Sequence, residues 1–178
     1  MPANTDYYCI DDNYSEEQIL IRNATRDWVK KHVKPHIEEH FQRAETPSYL
    51  VKELSNIGAF GLIIPENYGG VGADYISFGL MMQELEKGDS SIRVISSIQT
   101  SLVMYAIYKF GSEEQRAKYL PKLATGEMLG AFGLTEPDFG SNPSSMHSYY
   151  KEDGDNIVIN GSKMWIGNAE TADIAIIW

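Results

Sequence analysis

The chain has 178 residues, enough for about one domain and a small part of a second. Acidic residues outnumber basic ones by 25 to 15, a formal charge of −10, which argues against a nucleic-acid binder, whose affinity needs a basic face. A hydrophobic share of 43% with 22% charged residues excludes a disordered chain and is ordinary for a folded one.

The N-terminus has no basic stretch followed by an apolar core, so it reads as neither a secretory nor a transit leader. The single cysteine, Cys9, rules out a disulfide framework or a cysteine-based zinc site. No apolar run reaches the length of a membrane span, and a reducing, cytoplasmic setting is expected.

Ser15-Glu16-Glu17-Gln18 is a capping box. Behind it Ile21, Ala24, Trp28, Val29, Val33, Ile37 and Phe41 recur at spacings of three and four, which predicts an amphipathic helix bent near Pro35. A second helix is expected after Thr46-Pro47, ending at Gly58, because proline suits a first turn and glycine a C-terminus. Pro65 to Gly72 is turn chemistry. Asp74 to Lys87, with Phe78, Met81, Met82 and Leu85 on one face, predicts a third helix closed by Gly88. Ser90 to Phe110 is largely apolar, interrupted by Arg93, Gln99 and Lys109, and reads as a buried helix. Ser112-Glu113-Glu114-Gln115 is a second capping box, opening a helix that Pro121 is expected to interrupt.

After Gly126 the pattern changes. Residues 131–134, 145–150, 157–159, 164–166 and 174–178 read as short strands separated by Gly, Pro, Asn and Asp. The expected fold class is therefore α+β: an all-helical domain over 1–126, then the start of an antiparallel, barrel-like β-domain over 127–178. The sequence stops at Trp178 inside an apolar strand, as a piece cut from a longer protein would.

His32, His36 and His40 share a helical face at the spacing of a metal pair, but Pro35 lies within the run and solvated or packing histidines are the better reading. Gly69-Gly70-Val71-Gly72 lacks the residues of a phosphate loop or a dinucleotide turn. The segment Phe132-Gly133-Leu134-Thr135-Glu136-Pro137-Asp138-Phe139-Gly140-Ser141-Asn142-Pro143 is a candidate ligand loop. A strand delivers Thr135, proline breaks the ladder, Gly140 permits an unusual backbone and Ser141 offers a hydroxyl and an N–H, which suits a flat polar ring or a phosphate. Trp165-Ile166-Gly167-Asn168 adds an aromatic plane beside unhindered backbone. Packing against a core is the plainer role for that tryptophan. Arg93 in an apolar helix is costly unless an anion meets it, either a ligand's or a nearby Asp or Glu.

Tyr119-Leu120-Pro121 with Gly126-Glu127, Leu134-Thr135-Glu136-Pro137 to Gly140-Ser141, and Asn160-Gly161-Ser162-Lys163-Met164-Trp165-Ile166 together resemble the acyl-CoA dehydrogenase family from about Ser15 to Trp178. Arg93, Gln99 to Met104, Phe132-Gly133-Leu134 and Pro143 to Met146 look most like its glutaryl-CoA dehydrogenase branch. The resemblance implies a subunit with an N-terminal helical domain, a middle β-domain and a C-terminal helical bundle that this chain lacks. It also implies FAD between the last two, a tetramer, an acyl-CoA substrate and an electron-transfer acceptor protein. Phe132, Gly133, Leu134 and Thr135 match the stretch lining the flavin ring. Gly140 and Ser141 match the turn near cofactor and acyl-CoA, and Trp165, Ile166 and Gly167 the stretch beside flavin N5. Arg93 and Ser97 match residues that recognise a substrate's distal carboxylate. The family's glutamate base belongs to the C-terminal domain, so no catalytic residue is assigned here. Gly167 stands where threonine is usual and Asn142 where aspartate is usual. The rival reading is a non-catalytic chain that binds acyl-CoA or makes subunit contacts.

Overall fold

The computed structural model describes residues 7–178; the leader reading of the extreme N-terminus falls largely on residues outside this range. α1 (Glu16–Trp28) begins at the expected capping box. Ser15 Oγ accepts from Gln18 N–H at 3.2 Å and Gln18 Oε1 accepts from Ser15 N–H at 2.9 Å. A five-residue π turn (Val29–Val33) extends it and buries both valines. The regular helix therefore ends before Pro35 rather than bending there. α2 (Ile37–Gln42) is short, and Phe41, expected on the buried face, is 76% exposed.

α3 (Tyr49–Asn56) begins just beyond Pro47, and Gly58 follows it at φ +72°. α4 (Tyr75–Glu86) is capped by Asp74, whose carboxylate accepts from Ser77 N–H at 2.7 Å and from Gln18 Nε2 at 2.7 Å. The N-termini of α1 and α4 are thereby tied together. Arg26 grips the buried Glu84 through Nε at 3.1 Å and Nη2 at 2.9 Å. Trp28, Val29, Val33, Leu50, Leu54, Phe60, Met81, Leu85 and Ile92 form the core these helices share.

The long apolar helix runs as α5 (Ser90–Ser97), a π segment (Ile98–Met104) and α6 (Tyr105–Phe110). Its buried polar groups are satisfied. Thr100 Oγ1 donates to the Ala59 carbonyl and accepts from Gly61 N–H, both at 2.9 Å, and Ser96 Oγ donates to the same carbonyl at 2.8 Å. α7 (Glu113–Ala124) opens at the second capping box and contains Pro121 without interruption. Leu120 and Leu123, both fully buried, anchor the helix on either side of the proline, so the missing N–H does not end it.

The β-region departs from the antiparallel, barrel-like expectation. β1 (Gly130–Gly133) pairs with β4 (Ile174–Ile177) in parallel, Gly130 opposite Ile174 and Gly133 opposite Ile177. β2 (Tyr149–Asp153) and β3 (Asn156–Asn160) form a separate antiparallel hairpin. Among the described residues these are two two-stranded sheets and no closed barrel. Residues 145–148 are not strand, because Pro143–Ser145 forms a 3-10 turn. Residues 164–166 are not strand either, since Trp165 at φ +60° leaves the extended region. β1 lies on the π segment, where Ile98, Val103, Met104, Ile107, Leu120 and Leu123 pack with Phe132, Ile174 and Ile176. Among the described residues no helix is long and apolar enough to cross a membrane.

Candidate functional site

β1 carries Phe132 and Gly133 to the edge of the helical core, and Leu134 and Thr135 leave its end. The chain then returns beside it. Thr135 O accepts from Met164 N–H at 2.9 Å and Leu134 O from Lys163 Nζ at 3.0 Å. Residues 134–135 are thus joined to residues 163–164, immediately before the 165–167 stretch singled out from the sequence.

Lys163 also pairs with Glu136 at 2.9 Å, both side chains nearly buried. Glu136 accepts further from the N–H groups of His147 at 2.6 Å and Ser148 at 2.9 Å. The nearby Ser148 hydroxyl, these two amides and the Lys163 ammonium overcome the opposing pull of burial and hold the Glu136 carboxyl down to about 2. This pair, not recognised as a unit from the sequence, closes the 136–148 loop onto the strand end. The signal was two opposite charges, Glu136 within the predicted ligand loop and Lys163 within the 160–166 motif.

A pH dependence follows. Because the folded value lies below the ordinary one, the pair's contribution to stability is complete above about pH 4.3 and is lost as pH falls towards about 2. Thermal melts of wild type and Glu136→Gln should therefore converge across that acid range and separate at neutral pH. Parallel melting curves at every pH would assign the acid sensitivity elsewhere.

The other arm of the loop is placed differently. Gly140 has no left-handed backbone, and a Cβ there would meet nothing within 4 Å. The unusual conformation expected of it is therefore absent. Ser141 is exposed. Asn142 precedes the following turn and bonds its hydroxyls, donating through Nδ2 to Ser145 Oγ and accepting from Ser144 Oγ through Oδ1, both at 2.8 Å. His32 stacks on Trp28 and His40 lies beside Tyr49.

Trp165 is 87% exposed at φ +60°, a strained backbone of the kind that collects at functional sites. Gly167 faces the long helix: a Cβ there would collide with the Ile98 δ-methyl and touch Val94 at 3.9 Å. Ile98 thus fills the space a side chain at 167 would use. An open groove of about 1320 Å³ runs between Ser90, Val94 and Ile95 of α5 and Ile166, Gly167 and Asn168.

Arg93 and Ser97 do not line that groove. They are brought together on the adjacent flank of α5, Arg93 Nη1 3.5 Å from Ser97 Oγ. Arg93 is a third exposed and pairs through Nε with Glu86 at 2.7 Å, the neighbouring-acid partner considered from the sequence. The Ser90 hydroxyl and Arg93 lower the Glu86 carboxyl from its ordinary range.

Comparison with known proteins identifies the class. Residues 15–127 match the N-terminal domain of acyl-CoA dehydrogenases and residues 131–178 their middle domain. The chain belongs to the acyl-CoA dehydrogenase family. It is 39% identical to an acyl-CoA dehydrogenase of Bacillus subtilis, over 91% of this chain and 43% of that one. It is 37% identical to a glutaryl-CoA dehydrogenase of Desulfococcus multivorans, over 95% and 44%. A crystal structure of glutaryl-CoA dehydrogenase from Mycobacterium smegmatis in complex with FADH2 superposes with a TM-score of 0.93 at 43% identity, covering 96% of this chain and 44% of that one. The chain spans less than half the length of these relatives.

FAD is the cofactor of the family, and the donor set here fits a flavin ring. Among the described residues the N–H groups of Trp165, Ile166 and Gly167 and the Thr135 hydroxyl have no hydrogen-bond partner. Three successive open amides beside an open hydroxyl suit a flat ring with a polar edge.

Proposed function

We propose that this chain forms the helical and flavin-facing part of an FAD-dependent acyl-CoA dehydrogenase acting on glutaryl-CoA, with decarboxylation to crotonyl-CoA. The observation that carries the substrate is the placement of Arg93 beside Ser97 on α5, Nη1 3.5 Å from Oγ; a ligand carboxylate would take both by replacing Glu86 at Arg93 and the Val94 carbonyl at the Ser97 hydroxyl. Flavin, when bound, supplies the acceptor for the hydride leaving the β-carbon. The chain's own residues bind and orient. Phe132, Gly133 and Leu134 form one wall. Thr135 offers its hydroxyl to the ring edge, Trp165, Ile166 and Gly167 offer backbone N–H groups, and Gly140 and Ser141 lie where the acyl-CoA enters. No residue here takes the α-proton; that base, the tetramer contacts and the docking of an electron-transfer acceptor belong to the full-length subunit.

A second reading has its own support. Glu86 already satisfies Arg93, and the Bacillus relative, simply an acyl-CoA dehydrogenase, is as similar as the glutaryl enzymes. On that reading the substrate is monocarboxylic and Arg93 is structural.

Flavin uptake tests the proposal. The purified 178-residue chain should hold little FAD and turn over no acyl-CoA, because the bundle face of the cofactor site and the base are missing. Extended to the relatives' full length, it should carry stoichiometric flavin that glutaryl-CoA bleaches anaerobically. A colourless full-length protein would leave the non-catalytic reading.

A further inference from the structure

Asn168 follows Gly167 at φ +63°, a left-handed conformation that asparagine tolerates better than most residues. Its carbonyl accepts from Thr171 N–H at 3.0 Å and Ala172 N–H at 2.9 Å, closing the turn behind the site. Its Nδ2 donates to the Gly130 carbonyl at 3.1 Å. On the other side of the same residue, Gln99 Oε1 accepts from Gly130 N–H at 2.9 Å. Gln99 Nε2 donates to the carbonyls of Leu123 and Met128, both at 2.8 Å. Gln99 is fully buried, and its amide makes three hydrogen bonds to backbone, two from Nε2 and one to Oε1. It also follows Ile98, whose methyl lies against Gly167.

Gly130 is therefore held at both its N–H and its C=O by side chains from two separate segments, the π segment and the turn that follows Gly167. With no side chain at 167, the donors next to the long helix are the backbone N–H groups of the 165–167 stretch, and a backbone donor is useful only where the chain around it is fixed. We propose that Gln99 and Asn168 are positioning residues that act through Gly130 to hold the Trp165–Gly167 backbone in one place against the long helix. Their importance for catalysis rests on the reading of that stretch as cofactor-facing; the clamp itself does not.

Amide hydrogen exchange on the 178-residue chain, without flavin, tests the clamp. Asn168→Gly keeps the left-handed backbone and removes the donor. Gln99→Met keeps the side-chain length and removes all three hydrogen bonds. Each should speed exchange at Ala169, Thr171 and Ala172 by about 5- to 100-fold, the range of a lost buried hydrogen bond, although the hydrogen bonds of Gln99 go to Leu123, Met128 and Gly130. The double variant should exchange no faster than the faster single one, and α1 and α4 should be unchanged. Asn168→Asp should supply a pH signature. Its protection factors, taken relative to wild type at the same pH so that the acid loss of the Glu136–Lys163 pair cancels, should be low when the carboxylate is ionised and recover in acid, where the protonated group donates to Gly130 O.

Unchanged exchange at the three amides in Gln99→Met would overturn the proposal. So would single effects that multiply in the double variant, or a uniform acceleration through the whole protein. If Gln99→Met does not fold, the Asn168→Asp profile decides: recovery in acid supports the clamp and a flat profile overturns it. No arm contains flavin, so a negative result strikes the clamp alone, and a colourless full-length protein strikes the flavin reading alone.

Discussion

Arg93→Ala in a chain of the relatives' full length should cut kcat/KM for glutaryl-CoA while leaving a monocarboxylic acyl-CoA of similar length nearly untouched. Removing one partner of a carboxylate–guanidinium pair closed off from water costs about 2–5 kcal/mol. That corresponds to about 30- to 5000-fold in kcat/KM. The upper end requires the substrate and the rest of the subunit to cover Arg93, which is a third exposed here. Glu86 competes for the same guanidinium, so Glu86→Gln should act in the opposite direction on the dicarboxylic substrate alone. Ser97→Ala should lower the same constant more weakly, since it removes one neutral hydroxyl. Steady-state kinetics on the two substrates decides the matter: equal losses on both would make Arg93 structural and favour the monocarboxylic reading.

The second large effect is on stability, at Gly130. An added Cβ would sit 2.5 Å from Val103 Cγ1 and 2.8 Å from its Cγ2. Val103 is fully buried and β-branched, so it has few rotamers into which to retreat. Gly130→Ala must therefore shift the strand, straining its bonds to Gln99 and Asn168. Overpacking of this kind costs about 1–3 kcal/mol; at roughly 2–4 °C per kcal/mol for a chain of this size, Tm should fall by about 2–12 °C. Val103→Ala in the same background should recover part of the loss. A Gly130→Ala variant that melts with wild type would show that the strand has room the structure does not display.

The helical part was legible because its signals are local. Ser15 with Gln18 and Ser112 with Gln115 announce helix starts within four residues, and Gly58 and Gly88 mark ends where the left-handed or tight backbone is needed. Pro121 misled because its cost is also local, whereas what outweighs it, the burial of Leu120 and Leu123, depends on partners far along the chain. The parallel pairing of β1 with β4 left no trace in either strand's own residues, since four-residue apolar runs read alike in both directions. Of the candidate site, the 132–135 and 165–167 stretches were singled out from the sequence, and the structure joins residues 134–135 to residues 163–164, just before the second stretch. Glu136 and Lys163 stood in the quoted motifs, yet their pairing depends on a loop closure no spacing rule reports. Gln99 was visible as a polar interruption of an apolar helix, but its three backbone partners lie well outside its own neighbourhood in the sequence.

The parallel pairing has a kinetic consequence. Leu129 and Asp173 join across 44 positions, and a contact so distant in the chain pays its loop-closure entropy before it is rewarded. The capped helices, by contrast, nucleate from neighbours, and β1 has the packed π segment as a template. During synthesis the helical core should be assembled before β4 leaves the ribosome, N-terminal units folding first. Within residues 7–178, the surface assigned to the flavin would then form after the helical core. Mutations at β4 or Asp173 should chiefly raise the unfolding rate and leave the early folding rate almost unchanged.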